Sequence, residues 1–175
     1  IVILIFPIFA FSQKSVEFTA AAGYTFVDVE NLVDKDEIAG SWATDWDNFS
    51  YGFGAQVFLF SVKNMTFGAE LMYHRLFWYS VAVPYGNSNI YRTYYVNSTR
   101  LTPILRIGAN NKFSADIGPE FNFMDGMAIG LMVSSNYSIS ISEKLEVPLK
   151  LRLDLIGGTV LYLPITFNAG IRYKF

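Results

Sequence analysis

Three features of this 175-residue sequence predict an all-β fold, specifically an eight-stranded antiparallel up-and-down transmembrane β-barrel. Apolar residues recur at every second position in runs that reach the last residue, as in β-strands. Nearly all charges within these runs lie on the polar side, where a membrane barrel has its lumen. Short and longer connections alternate, as expected for a barrel with both ends on one side of the membrane.

Eight runs carry the alternation, and each is long enough to cross an apolar layer. The final run has an apolar residue at every second position from Leu161 to Phe175, so one of its faces suits lipid. The run from Leu145 to Ile156 alternates most regularly. The predicted strands are residues 16–26, 49–60, 65–79, 90–107, 113–124, 129–141, 145–156 and 160–175.

A few residues conflict with a simple alternation. Phe58 and Phe60 fall on the polar face of the second run, whereas the outward face of the third run is predicted to hold Phe77 and Tyr79. Arg75 is the one charge on an outward face, about 25 Å above the preceding turn, where its side chain can reach the membrane interface. Missing hydrogen bonds or β-bulges are expected at Pro103, Pro119, Pro148 and Pro164.

Composition predicts one domain and excludes several partners. The chain has no cysteine and a net charge of −2, which argues against a disulfide scaffold, a thiolate metal site and nucleic-acid binding. Residues 1–12 are predicted to be a signal peptide truncated at its start, because they are apolar but too few for a transmembrane helix. The barrel domain is then residues 13–175.

Charged side chains on the polar faces are predicted to pair within a narrow lumen and fill it. His74 is the only histidine and is interpreted as a structural lumen residue, rather than a catalytic or metal-binding one. A gated ion path along Arg100, Arg106, Asp116 and Glu120 is the alternative. The predicted lumen residues are Glu17, Glu70, His74, Arg92, Arg100, Arg106, Asp116, Glu120, Glu146, Lys150, Arg152, Asp154, Arg172 and Lys174.

The connections predicted to lie outside the cell include two long segments. Residues 28–48 form an acidic loop, which is interpreted as solvated, with divalent cation binding as the alternative. Runs three and four are longer than a membrane requires, so residues 75–96 are predicted to project as a two-stranded ribbon. An extracellular protein partner could bind this ribbon by strand addition, and a stiff hairpin without a partner is the alternative.

Two segments resemble known outer-membrane barrels. Residues 101–105, Leu-Thr-Pro-Ile-Leu, precede Ile-Gly-Pro at residues 117–119, and the pair resembles the family that includes PorT-like proteins and, in layout, small barrels of the OmpA and OmpX type. The last strand resembles the closing strand of Gram-negative barrels. This likeness implies recognition by the barrel assembly machinery through Phe167, Ile171, Tyr173 and Phe175.

Together these features predict a protein of the outer membrane of a Gram-negative bacterium, in contact with lipid and lipopolysaccharide. Its expected role is envelope-structural or surface-binding, without catalysis or a cofactor. A small pore or secretion accessory and a lipid-modifying enzyme are the alternatives. Alternation alone also ranks Leu151→Arg as more damaging than Arg152→Leu, because only the first places a charge in lipid.

Overall fold

The computed structural model describes residues 15–27, 42–85, 88–108, 112–124, 126–157 and 161–175. The predicted signal peptide and the acidic stretch 28–41 lie outside the described residues. No helix in the described ranges is both long and apolar enough to cross a membrane. The described strands are β1 (Ser15–Phe26), β2 (Trp42–Asp47), β3 (Phe49–Val62), β4 (Met65–Tyr85), β5 (Ser88–Ile107), β6 (Phe113–Phe123), β7 (Met127–Ser140), β8 (Leu145–Gly157) and β9 (Leu163–Lys174).

Eight of these strands close into an antiparallel barrel, as predicted. The circuit runs from β1 through β3, β4, β5, β6, β7 and β8 to β9, and β9 pairs with β1 along twelve residue pairs. Each barrel strand pairs with its neighbours on both sides. The lower end of the barrel is defined here as the end that carries Ser15 and Lys174, and the upper end lies opposite.

Part of the sheet continues beyond the barrel at the upper end. Strands β4 and β5 pair along their whole lengths, whereas β3 stops pairing with β4 at Arg75 and β6 stops pairing with β5 at Thr99. The residues beyond these points form the predicted ribbon, which turns between Tyr85 and Ser88.

The ribbon has a third strand that the sequence interpretation placed in a loop. Strand β2 pairs with residues 78–82 of β4, so the predicted loop 28–48 contains a strand, and the two-stranded prediction is incomplete. β3 does not pair with this part of β4, and β2 pairs with the edge that β3 leaves open. This pairing provides hydrogen-bond partners for the backbone groups of β4. Residues 42–47, 76–85 and 88–98 are called the upper extension below.

β-Bulges at two positions change which face the following residues occupy. Between Phe58 and Phe60, β3 has one residue more than β4, so Phe60 turns outward and stacks on Phe67 with ring centroids 4.8 Å apart. The extra residue in β4 is Leu76, and after it Phe77 points inward and is fully buried. The prediction that Phe77 and Tyr79 face outward is therefore wrong, because a bulge reverses the alternation beyond it.

The four prolines that were expected to interrupt strand pairing lie at gaps in the hydrogen-bonded ladders, as predicted. The β5–β6 pairing is interrupted between Leu101 and Leu105, where Pro103 and Pro119 lie on the two facing strands. The β8–β9 pairing is interrupted between Glu146 and Leu149, the segment that contains Pro148, and it ends before Pro164. Proline lacks the N–H group that a ladder needs, which accounts for these positions.

Candidate functional site

The alternation of the strands directs charged side chains into the lumen and apolar side chains outward. Every predicted lumen residue except Arg92 and Lys174 is buried, with at most 7% of its surface exposed. Lys174 lies at the lower rim, where a quarter of its side chain remains exposed. The lumenal charges form two groups of ion pairs, which Gln56 links through its hydrogen bonds with Glu70 and Lys150. Together they are called the lumenal ion network: Glu17, Glu70, Arg100, Arg106, Asp116, Glu120, Glu146, Lys150, Arg152, Asp154, Arg172 and Lys174.

Arg152 on β8 is the centre of the middle layer of this network. Its guanidinium forms ion pairs with three carboxylates, from Glu70 on β4, Glu120 on β6 and Asp154 on its own strand. Arg100 on β5 also pairs with Asp154, and its Nη1 lies 3.4 Å from Glu120 Oε1. Four strands are therefore joined across the lumen by charge-assisted hydrogen bonds.

The lower layer is organised around Glu17 on β1. Its carboxylate pairs with Lys150, accepts hydrogen bonds from Arg172 Nε at 2.9 Å and Nη2 at 2.8 Å, and lies 3.6 Å from Arg106 Nη2. Arg106 in turn donates two hydrogen bonds to Asp116, at 2.6 and 2.8 Å. Because each charge has a partner of opposite sign, their attraction offsets the free-energy cost of removing these charges from water.

The lower rim combines an aromatic ring with the last charges of the network. Phe58 is the inward-facing phenylalanine that the alternation left unexplained, and the guanidinium of Arg106 lies 4.1 Å from its ring centroid. Arg172 also donates to Glu146 Oε2 at 2.8 Å, and Lys174 pairs with the same carboxylate. A cation over the ring face is favourable, so Phe58 fits this charged layer.

Arg92 does not belong to this network, and its predicted lumen position is wrong. It lies on the same side of β5 as Arg100, but in the upper extension, where it is exposed and pairs with the backbone of Val81. The alternation identified its side of the strand correctly. The error concerns the position of Arg92 along the barrel axis, because β5 continues beyond the closed part of the barrel.

An apolar cluster closes the lumen above the charges. Its buried members are Leu76, Phe77, Ala128, Ile156 and Tyr162, and this set is called the apolar cap. Half-buried residues that pack against it include Tyr79 and Val96 from the upper extension. The cap exists because the bulge in β4 turns Phe77 inward, with its ring centroid 5.9 Å from that of Tyr162. Sequence reasoning missed the cap, since no local signal marked the bulge.

His74 is fully buried in the upper lumen, where its backbone pairs with Ser98 on β5 and Gly52 on β3. Neither ring nitrogen makes a hydrogen bond with the described protein atoms. Among the described residues, no three metal-ligating side chains come close enough to hold an ion. Within the described residues, His74 therefore has no hydrogen-bonded side-chain partner and no set of metal ligands.

The outer surface of the barrel has the character of a lipid-facing wall. Large exposed apolar side chains occur on every barrel strand, and they include the proposed assembly residues Phe167, Ile171, Tyr173 and Phe175. Aromatic side chains mark both ends of β6, at Phe113 and Phe123. Ten residues of tilted strand span about 25 Å along the barrel axis, which matches the apolar band of membrane barrels.

Among the described residues of the barrel wall, Arg75 is the one outward-facing charge, and its guanidinium contacts two tyrosines. Its guanidinium lies 4.1 Å from the ring centroid of Tyr95, and its Nη1 donates to the hydroxyl oxygen of Tyr51 at 3.2 Å. These residues lie where the barrel gives way to the upper extension. An arginine held by tyrosines at this level suits the polar edge of a membrane.

Comparison with solved structures shows similarity to small bacterial outer-membrane barrels. AlkL, determined by solid-state NMR in DMPC bilayers, aligns with a TM-score of 0.54 and 10% identity over 94% of this chain and 90% of its own. OprG from Pseudomonas aeruginosa aligns with a TM-score of 0.51 and 15% identity over 94% and 96%. Neisserial surface protein A aligns with a TM-score of 0.50 and 13% identity over 93% and 97%.

The fold thus defines the class of the protein, which is the transmembrane β-barrel. At 10–15% identity the three similarities establish the fold alone. No family model matches the chain, and no curated protein sequence matches it.

Proposed function

We propose that the protein resides in the outer membrane of a Gram-negative bacterium as a closed barrel, with an envelope-structural or surface-binding role and no catalytic activity. The main observation that supports this proposal is the filled lumen. Two layers of paired charges fill it from wall to wall, and the apolar cap lies above them. The interior of an eight-stranded barrel is just wide enough for side chains to fill, so these layers should block a continuous aqueous path for ions.

The proposed location is supported by the apolar outer wall and by the fold shared with bacterial outer-membrane barrels. The segments Leu-Thr-Pro-Ile-Leu and Ile-Gly-Pro support a closer relation to PorT-like proteins. These segments lie side by side in the barrel, because β5 pairs with β6 at Leu105 and Ile117. The terminal strand, with Phe175 exposed on its outer side, supports recognition by the barrel assembly machinery.

Conductance measurement in planar lipid bilayers tests the closed lumen. The refolded protein should leave the membrane current at baseline, while a general porin added to the same bilayer conducts. Reproducible unitary currents that scale with the amount of protein would contradict the proposal and support the alternative of a small pore or transport accessory.

A lipid-modifying enzyme is the other alternative, and the position of the only histidine weighs against it. His74 is fully buried, so its ring cannot reach a lipid at the barrel surface. Mass spectrometry of lipid A from cells that produce the protein, compared with cells carrying an empty vector, should give identical spectra. A new lipid A species dependent on the protein would contradict the absence of catalysis.

A further inference from the structure

The upper part of β5 has an edge that pairs with no described strand. Residues 88–98 pair with β4 on one side, and on the other side no described strand continues beyond Thr99. Lower in the same strand, the carbonyl of Pro103 faces Gly118 on β6. Because backbone groups point to alternate sides along a strand, the odd-numbered residues from 89 to 97 direct their N–H and C=O groups to this edge.

The edge lacks the features that usually prevent strand pairing. It is eleven residues long, contains no proline, and has Arg92 as its single charge. Its aromatic side chains are exposed, with Tyr91 at 64% and Tyr95 at 57%. Proteins commonly protect such edges with charges, prolines or short strands, so an edge of this composition is suited to pair with another strand.

The sequence of the edge is close to a palindrome. Residues 88–98 read Ser-Asn-Ile-Tyr-Arg-Thr-Tyr-Tyr-Val-Asn-Ser. Reflection about Thr93 preserves residue type in four of the five flanking pairs, counting Ile and Val as one type. An isologous two-fold contact pairs residue i of one copy with residue j of the other, and j with i. About Thr93 the near-palindrome therefore places like residue types opposite each other, including Tyr opposite Tyr. The mirrored pairs are Ser88 with Ser98, Asn89 with Asn97, Ile90 with Val96, Tyr91 with Tyr95, and Arg92 with Tyr94.

We propose that two copies of this protein form a head-to-head dimer by antiparallel pairing of their β5 edges, with the two-fold axis beside Thr93. In this register Thr93 lies opposite Thr93 of the second copy, and Tyr91 lies opposite Tyr95, both favourable cross-strand pairs. Arg92 lies opposite Tyr94, where a cation–π contact is available. The odd-numbered residues then exchange backbone hydrogen bonds, since their N–H and C=O groups face the edge.

The ends of the paired edge lie next to a depression on each copy. A depression of about 170 Å³ lies where β6 ends, lined by residues 95–99, Phe123 and Met124. Because Ser98 lies opposite Ser88 of the second copy, the ribbon tip of one copy meets this depression on the other. Antiparallel pairing places the two barrels at opposite ends of the overlapped ribbons, so the dimer connects two membrane surfaces.

Cysteine cross-linking of the folded protein in detergent tests the register, with no background because the chain lacks cysteine. Thr93→Cys should form a disulfide-linked dimer, since directly opposed hydrogen-bonded residues have Cα atoms about 5.5 Å apart, within disulfide range. Tyr91→Cys should not link to itself, because its two copies lie about 14 Å apart, four residues out of register. Mixed Tyr91→Cys and Tyr95→Cys proteins should link.

Charge substitution at the two-fold axis tests the same contact without a covalent bond. Thr93→Lys and Thr93→Glu should each be monomeric by light scattering, because like charges would face each other. Mixing the two variants should restore the dimer, which excludes misfolding as the reason for its loss. A wild-type protein that stays monomeric, or a Tyr91→Cys protein that self-links as well as Thr93→Cys, would overturn the proposal.

Discussion

Arg152 should be among the side chains whose loss most destabilises the barrel. Replacement by Met keeps the length of the side chain but removes the charge that pairs with Glu70, Glu120 and Asp154. Arg100 still pairs with Glu120 and Asp154 in the variant. Glu70 loses the one cation that it contacts among the described residues and keeps Gln56 as its hydrogen-bond donor.

The expected decrease in the free energy of unfolding comes from this carboxylate, which is left without a cationic partner. Removal of one partner of a buried ion pair costs about 3–5 kcal/mol, because the remaining charge stays buried. Leu151→Arg, which places a charge in lipid near mid-strand, costs about 2–4 kcal/mol. With these contacts Arg152→Met should be at least as damaging as Leu151→Arg, whereas alternation alone ranks Leu151→Arg above Arg152→Leu.

Reversible urea unfolding in phospholipid, followed by tryptophan fluorescence, measures these free energies. Leu151→Met is the matched control, and on the lipid-facing side it should lie within about 0.5 kcal/mol of the wild type. Adding Glu70→Gln to Arg152→Met should recover about 0.5–3 kcal/mol relative to the sum of the single effects. An Arg152→Met loss below about 1 kcal/mol, or strictly additive effects, would refute the reasoning.

Three further changes to the chain, two substitutions and one deletion, have defined outcomes. Gly118→Ala should prevent refolding, because a Cβ there would lie 2.0 Å from the carbonyl oxygen of Pro103. A Cβ at the control position Gly126 meets no atom within 4 Å, so Gly126→Ala should refold normally. Equal yields of folded protein, measured as the band whose electrophoretic mobility changes on heating, would contradict this contrast. Phe77→Ala should lower the free energy of unfolding by about 3–5 kcal/mol, and a loss typical of an exposed site, below about 1 kcal/mol, would argue against the apolar cap. Deletion of Phe175 should reduce the amount of assembled protein in the outer membrane without reducing synthesis, and normal assembled levels by immunoblotting would contradict an assembly role.

The sequence by itself determined the barrel, the number of its strands and the face on which most residues lie. These properties are local, because each strand residue faces either lipid or lumen and must suit that solvent independently of the rest of the chain. Leu151 and Arg152 illustrate this: alternation placed the first outside and the second inside, and both positions agree with the structure. Even the proline interruptions could be predicted, since a missing N–H is a property of one residue.

Only the tertiary structure decided which charges pair, where the lumen ends and what the extension contains. Arg152 and Glu70 are 82 positions apart and meet because closure of all eight strands brings β8 opposite β4. The inward turn of Phe77 depends on one extra residue in β4 relative to β5, and the exposure of Arg92 depends on where β6 stops. Register, barrel closure and the relative ends of the strands depend on how different strands pair. The period-two pattern within a single strand therefore cannot predict them.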